Sequence, residues 1–377
     1  MLIFRPNDLA LKINGQPLSK MNFLMRTILL DIARAGILAP SADNRHVFRI
    51  EINETSLCLW PTTDFAATTE RHRRVLGLIS LGAVVENMML RAGELGLGSH
   101  ANWFPAGSDA GPIVQFNLQD ALTEIDDGLA AAIPDRHTNR RMYRGPTLSV
   151  SETNLLSTAV ASVEGTQLIW LKGDARRHAL KLIWQAESER FLRQRLHEEL
   201  FSSIRFDLSW RETADSALPP GSLEIEPPMR PLFKALRHWG LMRPLTFLGV
   251  HRLIGLRAGW LPCWQAPTLG LLLTTLPIEA GAVAVGAAFE RLWLRATLLD
   301  LALQPLAAAT VLPLQSTSDF GASDELRLAL TLGWQTIAPE GTPLMVFRMG
   351  RAAPPKIKTG RQPIDLYTLK PITKKNG

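Results

Sequence analysis

The sequence has few cysteines and no long uninterrupted apolar run. Cys58 and Cys263 are the only two cysteines among 377 residues, which excludes a disulfide framework and a cysteine-based metal cage. The longest charge-free stretch, residues 258–278, is interrupted by three prolines. We therefore expect a buried strand with apolar flanks there and no membrane-spanning helix. The first residues lack a basic start followed by an apolar region, so we expect no signal peptide, a cytoplasmic protein and no membrane partner.

Several catalytic and metal-binding signatures are absent as well. His46, His72 and His100 show neither HExxH nor HxH spacing, and we predict no metal site. Ser41 lacks the GxSxG surroundings of a nucleophilic serine. The glycine-rich residues 93–98 follow a predicted helix instead of a strand, so they do not form a dinucleotide fingerprint. The residue types alone therefore assign no catalytic residue.

The positive charge of the chain is concentrated at its end. The formal net charge is +6, and residues 354–377 hold six Lys or Arg against one Asp, a net +5 that leaves +1 for everything before them. A nearly neutral body argues against a nucleic-acid groove, so we expect no nucleic-acid partner. Apolar residues make up 46% and charged residues 20% of the chain, which is typical of a folded globular protein.

The pattern of helices and strands occurs twice along the chain. Each half reads as a helix, strands, a long buried helix and a further strand, and the pattern restarts at Ile133-Pro134. We predict an α+β fold with a first lobe at 1–133 and a second lobe at 134–377. Residues 198–265, rich in Pro and Trp, fit no simple period and predict an insertion in the second lobe. A basic tail ends the second lobe.

The individual elements follow from periodicity and capping signals. The second long apolar helix, 281–301, carries Glu290, Arg291 and Arg295 on an otherwise apolar surface. Ser149 and Glu152 have the spacing of a capping box and predict a helix start. The other predicted helices cover residues 22–36, 70–95 and 174–197. The predicted strands cover residues 47–52, 56–60, 112–118, 166–171, 268–273 and 343–349.

Two polar segments carry groups suited to ligand binding. Residues 136–141, RHTNRR, offer guanidinium groups that match phosphate oxygens, and Thr138 adds a hydroxyl. A solvated charge run on a domain linker has the same composition. In the loop 40–44, Ser41 and Asn44 offer uncharged donors and acceptors that suit the edge of a heteroaromatic ring such as a flavin's. A plain helix-ending turn also explains that loop.

Five segments in chain order carry a family resemblance. They are ILAPSADNRHVFRIEI, RRVLGLISLGAVVENMMLRAGELGLGS, IPDRHTNRRMYRGPTLS, GAAFERLWLRATLLDLALQPL and FRMGRAAPPKIKTGRQP. Together they resemble the FMN-dependent nitroreductase family and, within it, the single-chain, two-lobed Acg-like branch. The resemblance implies an α+β fold in which two homologous lobes of one chain form an intramolecular pseudo-dimer around FMN. We therefore expect a monomer, with further dimerisation left open.

The resemblance also implies a set of cofactor-binding residues. Those expected at the FMN phosphate and ribityl chain are Arg136, His137, Thr138, Arg140 and Arg361. Those expected at the isoalloxazine ring are Pro40, Ser41 and Asn44, with the backbone of Gln304, Pro305 and Leu306 passing near flavin N5. Two positions depart from the family: its Gln-Pro-Trp reads His46-Val47-Phe48, and its Glu-Gly near N5 reads Ala307-Ala308.

The function implied by the resemblance is that of an FMN-dependent oxidoreductase. Reducing equivalents would pass from NAD(P)H through flavin N5 to a small electrophilic acceptor of nitro or quinone type, with the flavin supplying the chemistry. The inserted segment leaves a second hypothesis open, in which a closed lid makes the chain an FMN-sequestering protein with little turnover. A third, a peptide-heterocycle dehydrogenase subunit, needs a partner cyclase that nothing in the chain identifies.

Overall fold

A computed structural model describes residues 18–107, 111–119, 127–315 and 321–369. The expectation of no signal peptide concerns residues outside this part of the chain, and so do the tail lysines Lys370, Lys374 and Lys375. The basic tail is thus described only as far as residue 369.

Within the described residues, eight strands form two four-stranded antiparallel sheets. The strands are β1 (Phe48–Ile52), β2 (Ser56–Pro61), β3 (Gly98–Trp103), β4 (Val114–Gln119), β5 (Thr166–Trp170), β6 (Thr268–Thr274), β7 (Ala302–Pro305) and β8 (Thr342–Gly350). The first sheet has the order β1-β2-β4-β3 and the second the order β5-β6-β8-β7. The same topology therefore occurs twice, while the lobe boundary at 133/134 stays a prediction.

Helices cover these sheets and connect them. They are α1 (Leu18–Ile37), α2 (Thr63–Ala66), α3 (Arg71–Glu94), α4 (Val150–Ala161), α5 (Gly173–Leu192), α6 (Gln194–Ser202), α7 (Arg230–Ala235), α8 (Trp239–Phe247), α9 (Val250–Gly255), α10 (Leu261–Gln265), α11 (Ile278–Leu298), α12 (Ala308–Val311) and α13 (Asp324–Ile337). A helical turn of π type, Leu256–Trp260, joins α9 to α10. Helices alternate with antiparallel sheets in both halves, so the predicted α+β class is confirmed.

Most of the predicted elements are confirmed, with four differences. Helix α13 was not predicted. The helix predicted at 174–197 is wrong as a single element, because the backbone is extended at Arg193 and separates α5 from α6. Strands β3 and β7 were not predicted, since one has mostly small or polar residues and the other has four residues that include Pro305. Residues 198–265, which follow no simple period, form short helices interrupted by prolines.

The start of α4 shows how local sequence sets an element boundary. The Ser149 Oγ accepts from the Glu152 backbone N–H at 3.2 Å, and the Glu152 carboxylate accepts from the Ser149 N–H at 2.7 Å. This is the predicted capping box, and it satisfies two amide groups that the first helical turn leaves without partners.

The two long helices α3 and α11 cross at the centre of the molecule, and glycines make the crossing close. A Cβ on Gly82 would lie 2.1 Å from the Val283 carbonyl oxygen, and one on Gly286 would lie 2.1 Å from the Ile79 oxygen. The backbones therefore touch at a distance that only glycine permits. Around this crossing, side chains of both sheets, such as Phe116 and Leu272, share one hydrophobic core.

Helix α3 is the one described helix that is long and apolar enough to cross a membrane. Of its most apolar 18-residue window, 78% is buried inside the protein. This burial is what a core helix requires, and it agrees with the predicted helix at 70–95, buried on most sides.

Candidate functional site

A cavity of about 1190 Å³ lies where the two halves of the chain meet. Its walls come from the loop after α1, the segment before α4, the turn after β7, the chain after β8 and the insertion segment, residues 198–265. All eleven predicted site residues border it: Pro40, Ser41, Asn44, Arg136, His137, Thr138, Arg140, Gln304, Pro305, Leu306 and Arg361. The structure thus brings together residues from four separate segments, while their cofactor-binding roles stay predictions.

The loop after α1 has two polar side chains in different situations. Asn44, at φ 57°, donates from Nδ2 to the Ala217 carbonyl at 3.1 Å, and its Oδ1 accepts from Arg361. Its amide is therefore used within the protein, against the insertion segment. The Ser41 Oγ is buried without a hydrogen-bond partner among the described residues. Ser41 is thus the predicted ring-edge group that is available to a ligand.

Arg361 is not a solvated tail residue. Its Nε donates to the Ile37 carbonyl at 2.9 Å and its Nη2 to the Ala39 carbonyl at 2.8 Å. Burial and, after it, the nearby positive charge of Arg136 lower the pKa of Arg361 to about 10. The tail is therefore fastened to the loop after α1 by a part-buried cation.

Arg136 is buried at the start of the basic segment, with only 5% of its surface exposed. Its Nε lies 3.1 Å from the Glu290 carboxylate, its Nη2 donates to the Leu38 carbonyl at 2.8 Å, and its guanidinium lies 4.5 Å from the Trp293 ring centre. For Arg136 the alternative of a solvated charge run is therefore wrong. Like Arg361, it contacts the carbonyls at the end of α1.

Glu290 on α11 is a site residue that the sequence reasoning did not assign. It is fully buried, and burial raises its pKa to about 7, although the charge of Arg136 acts in the opposite direction. Both carboxylate oxygens are buried without a well-formed hydrogen bond within the described residues, and the Arg136 Nε is their ion-pair neighbour. The signal in the sequence was a carboxylate on an otherwise apolar helix. Two buried guanidinium groups here face one carboxylate of weakened charge, which favours an anion.

The other predicted residues of the segment 136–141 make contacts within the protein. One of them contacts the second sheet, one a neighbouring carbonyl and one the insertion segment. Thr138 forms a parallel bridge with Leu303 at the start of β7. His137 Nδ1 lies 2.9 Å from the Asp135 carbonyl oxygen, and burial lowers the pKa of this histidine. Arg140 donates to the Ser222 carbonyl at 3.2 Å, and burial also lowers its pKa.

Another buried arginine, Arg348, has no carboxylate partner within the described residues and contacts Gln304, which borders the cavity. Arg348 on β8 is fully buried, donates from Nε to the Gln304 Oε1 at 2.7 Å, and lies 3.9 Å from the Tyr143 ring centre. Its two Nη atoms have no partner within the described residues. Burial lowers the pKa of Arg348. The hydrogen bond from Arg348 fixes the carbonyl end of the amide of Gln304, a residue that borders the cavity.

The insertion segment forms the opposite wall and is mostly apolar there. Its cavity-lining side chains include Leu200, Ile204, Leu218, Leu223, Leu232, Phe233, Leu236 and Leu253. It is fastened across the cavity to the first half, because the Ala217 N–H donates to the Asn44 carbonyl at 3.2 Å and Arg45 donates to the Ser202 carbonyl at 3.1 Å. The cavity therefore has a basic end and an apolar end.

His46, at a position where the resemblance expects glutamine, is a part-buried link between two segments of the chain. Its Nδ1 lies 3.0 Å from the Tyr367 hydroxyl, and its ring lies 5.2 Å from that of Phe48. Burial, with the charge of Arg361, lowers the pKa of His46 to about 3. In the described part of the chain, no group of three or more metal-binding side chains occurs.

The fold and the cavity define a class: an α+β protein with two four-stranded sheets and a large cavity bordered by arginines and apolar side chains. Part of the chain is similar in sequence to nitroreductases. It is 31% identical over 121 residues to NAD(P)H nitroreductase Rv3131 of Mycobacterium tuberculosis strain H37Rv, covering 32% of this chain and 34% of the relative. The same values hold for NAD(P)H nitroreductase MT3217 of strain CDC 1551. The matched part is about a third of the length of these curated relatives, and no family model matches.

Similar solved structures are nitroreductases as well. The FMN-dependent nitroreductase NfnB from Mycobacterium smegmatis, in complex with NADPH, is 14% identical, with 64% of this chain and 98% of that chain covered and a TM-score of 0.35. A nitroreductase with bound FMN from Bacteroides fragilis is 16% identical, with coverages of 60% and 89% and a TM-score of 0.31. The curated relatives confirm the resemblance to nitroreductases that the five sequence segments indicated.

Proposed function

We propose that the cavity binds FMN and that the protein is a nitroreductase-type oxidoreductase. It would pass reducing equivalents from NAD(P)H to a small electrophilic acceptor of nitro or quinone type. The observation that carries this proposal is the convergence of the eleven predicted residues around one cavity, together with the sequence similarity to NAD(P)H nitroreductases.

The basic end of the cavity fits a phosphate. A phosphomonoester carries a charge of about −2 and accepts several charge-assisted hydrogen bonds. Arg136, His137, Thr138, Arg140 and Arg361 would hold it, and the weakened charge of Glu290 leaves an excess of positive charge there. Arg136 and Arg361 also bind the loop after α1, so the residues that hold the phosphate would position the loop as well.

The middle of the cavity fits a flavin ring. The unpartnered Ser41 Oγ would hydrogen-bond to a polar ring edge, and the Gln304 amide, fixed by Arg348, would offer its amino group. Pro305 and Leu306 would cover the ring beside them and exclude water from it. When bound, FMN supplies the hydride and electron transfer chemistry, and these residues orient it.

The size of the cavity supports a second ligand. Ligand sites usually measure about 300–1,000 Å³, and this cavity exceeds that range at about 1190 Å³. A flavin at the basic end would leave the apolar end, beneath the insertion segment, for a nicotinamide or an acceptor. We further propose that the two halves, 1–133 and 134–377, act as a pseudo-dimer within a monomeric, cytoplasmic protein.

The hydrogen bonds of the insertion segment favour one alternative, the sequestration of FMN. Ala217 and Ser202 are bonded to the loop after α1, and Ser222 is bonded to Arg140. Through these contacts the segment would act as a closed lid that keeps nicotinamide away from the flavin.

Anaerobic mixing of the FMN-loaded protein with NADPH, and separately with NADH, tests the proposed activity. Bleaching of the flavin, followed by reoxidation when a quinone or nitro compound is added, is the result expected of an oxidoreductase. Flavin that stays oxidised with both nicotinamides, but is reduced by dithionite, would contradict the oxidoreductase proposal and favour sequestration.

A further inference from the structure

The second part of the insertion segment lies in a stretch of the chain that contains no acidic residue. Residues 227–278 have neither Asp nor Glu. They contain six Lys or Arg: Arg230, Lys234, Arg237, Arg243, Arg252 and Arg257. Lys234, Arg243 and Arg252 are exposed, and in the described part of the chain no carboxylate pairs with them. The surface of residues 227–278 is therefore positively charged, although the body of the chain is close to neutral.

The same segment exposes an unusual share of large apolar side chains. Of seventeen such exposed side chains in the described ranges, eight lie within residues 229–264. They are Met229, Leu232, Leu241, Phe247, Leu248, Leu253, Leu256 and Trp264. Phe247 and Leu248, 84% and 77% exposed, form the corner between α8 and α9, where Gly249 has a φ of 75°. Two adjacent large apolar side chains at an exposed corner indicate an interaction site.

The apolar groups lie beside the mouth of the cavity. Met229, Leu232 and Leu253 line the cavity and are also about half exposed or more, at 49%, 48% and 67%. An ion pair between Arg257 and Glu226 holds the chain before α7 next to the turn after α9. The cavity therefore opens to the surface between exposed apolar side chains that have basic residues around them.

We propose that this surface, residues 229–264, binds an anionic lipid bilayer, with Phe247 and Leu248 inserting between the headgroups. A helical surface that combines Lys or Arg with large apolar side chains is suited to the interface of an acidic membrane. A second copy of the chain is disfavoured, because a symmetric contact would bring the six basic residues against themselves. Nucleic acid would pair with the basic residues but would leave Phe247 and Leu248 in water.

The proposal is independent of the bound cofactor and differs from the expectation of no membrane partner. That expectation rested on the absence of a spanning segment, which attachment to a membrane surface does not need. Docking in this orientation turns the apolar mouth of the cavity toward the bilayer, so a molecule dissolved in lipid would enter without crossing water.

Sedimentation of the full chain with vesicles tests this proposal. We expect binding to vesicles of phosphatidylglycerol and phosphatidylcholine, little binding to phosphatidylcholine alone, and weaker binding as salt is raised. The double variant Phe247→Ser, Leu248→Ser is expected to weaken binding by roughly tenfold or more. The matched control is Phe23→Ser on α1, which removes another exposed phenylalanine (75% exposed) outside this surface and is expected to leave binding unchanged.

The charge contribution is tested by a second pair of variants. Arg243→Gln with Arg252→Gln is expected to weaken binding to the anionic vesicles, whereas Arg177→Gln, at an exposed position on α5, is not. Thermal unfolding of each variant shows that it is folded. The absence of vesicle binding overturns the proposal, and so does an equal loss in the Phe23 control. Two further results, each without vesicle binding, also overturn the proposal. One is binding to duplex DNA that the Phe247 and Leu248 variant retains. The other is a dimer of the wild type that this variant dissociates.

Discussion

Arg136 contacts a protein carboxylate on one side and borders the proposed phosphate site on the other. We predict that Arg136→Ala weakens FMN binding by roughly 10- to 150-fold, because one charge-assisted contact of about 1.5–3 kcal/mol is lost. Equilibrium dialysis against FMN measures the change.

Two control variants separate the phosphate contact from the ion pair. Glu290→Gln breaks the same ion pair but keeps Arg136, and we expect it to retain FMN. Arg177→Ala removes an exposed arginine whose partner is Asp174. Arg176 is unsuitable as a control, since its guanidinium donates to the carbonyls of Cys263 and Ala266. Equal FMN affinity in Arg136→Ala and Arg177→Ala would contradict the phosphate assignment.

Glu290 gives the stability a characteristic pH dependence. Its pKa is raised from 4.5 to about 7, so between these values the folded protein keeps a proton that the unfolded chain has lost. The contribution of Glu290 to the free energy of unfolding therefore falls as pH rises through this window, by up to roughly 3 kcal/mol. Urea denaturation at pH 5 and pH 8, for the wild type and Glu290→Gln, measures it. The variant is expected to lose less stability than the wild type between these pH values, and identical changes would contradict the assignment.

The sequence predicted residues that border the cavity, but it did not predict the buried residues that contact them from outside the cavity or from α11. The eleven cavity residues came from short segments that resemble a family, and the basic segment 136–141 stood out by charge alone. Glu290, Trp293 and Arg348 could not be assigned, because their roles depend on which helix and strand pack behind the cavity. A buried charge on an apolar helix marks such a residue, although it does not identify the partner.

At the scale of elements, the crossing of α3 and α11 determines how the two halves meet. We predict that Gly82→Ala lowers the free energy of unfolding by about 1–3 kcal/mol or more, because its Cβ would overlap the Val283 carbonyl. The control is Gly93→Ala on the same helix, where a Cβ meets nothing within 4 Å. That variant is expected to be neutral or more stable by about 0.5–1 kcal/mol. Chemical denaturation compares them, and equal stabilities would contradict the close crossing.

The elements that were predicted correctly have strong local signals. The continuous apolar run predicts α3, and the capping box predicts the start of α4. Each signal lies within a few turns of its own helix. Strand β3 was missed because GSHANW has little apolar alternation, and its pairing with β4 provides what the local sequence lacks. The helices of the insertion segment were missed because prolines interrupt their period, while the walls they form are fixed by tertiary contacts.

At the scale of the whole molecule, one hydrophobic core includes residues of both sheets. We predict that the chain unfolds in a single cooperative transition, because neither half can lose its packing without exposing the other at the α3–α11 crossing. Differential scanning calorimetry with far-UV circular dichroism measures this. Two separated transitions, one for each half, would show that the shared core does not couple them.

The binding of FMN tests the central claim most directly. Purified protein stripped of ligand, mixed with excess FMN and passed through a desalting column, is expected to retain about one flavin per chain, since the cavity has a single basic end. Its flavin absorbance should be altered by the less polar surroundings, and Arg136→Ala should retain less. Wild-type protein that is folded, by its cooperative unfolding, and yet retains no FMN at any concentration would contradict the account.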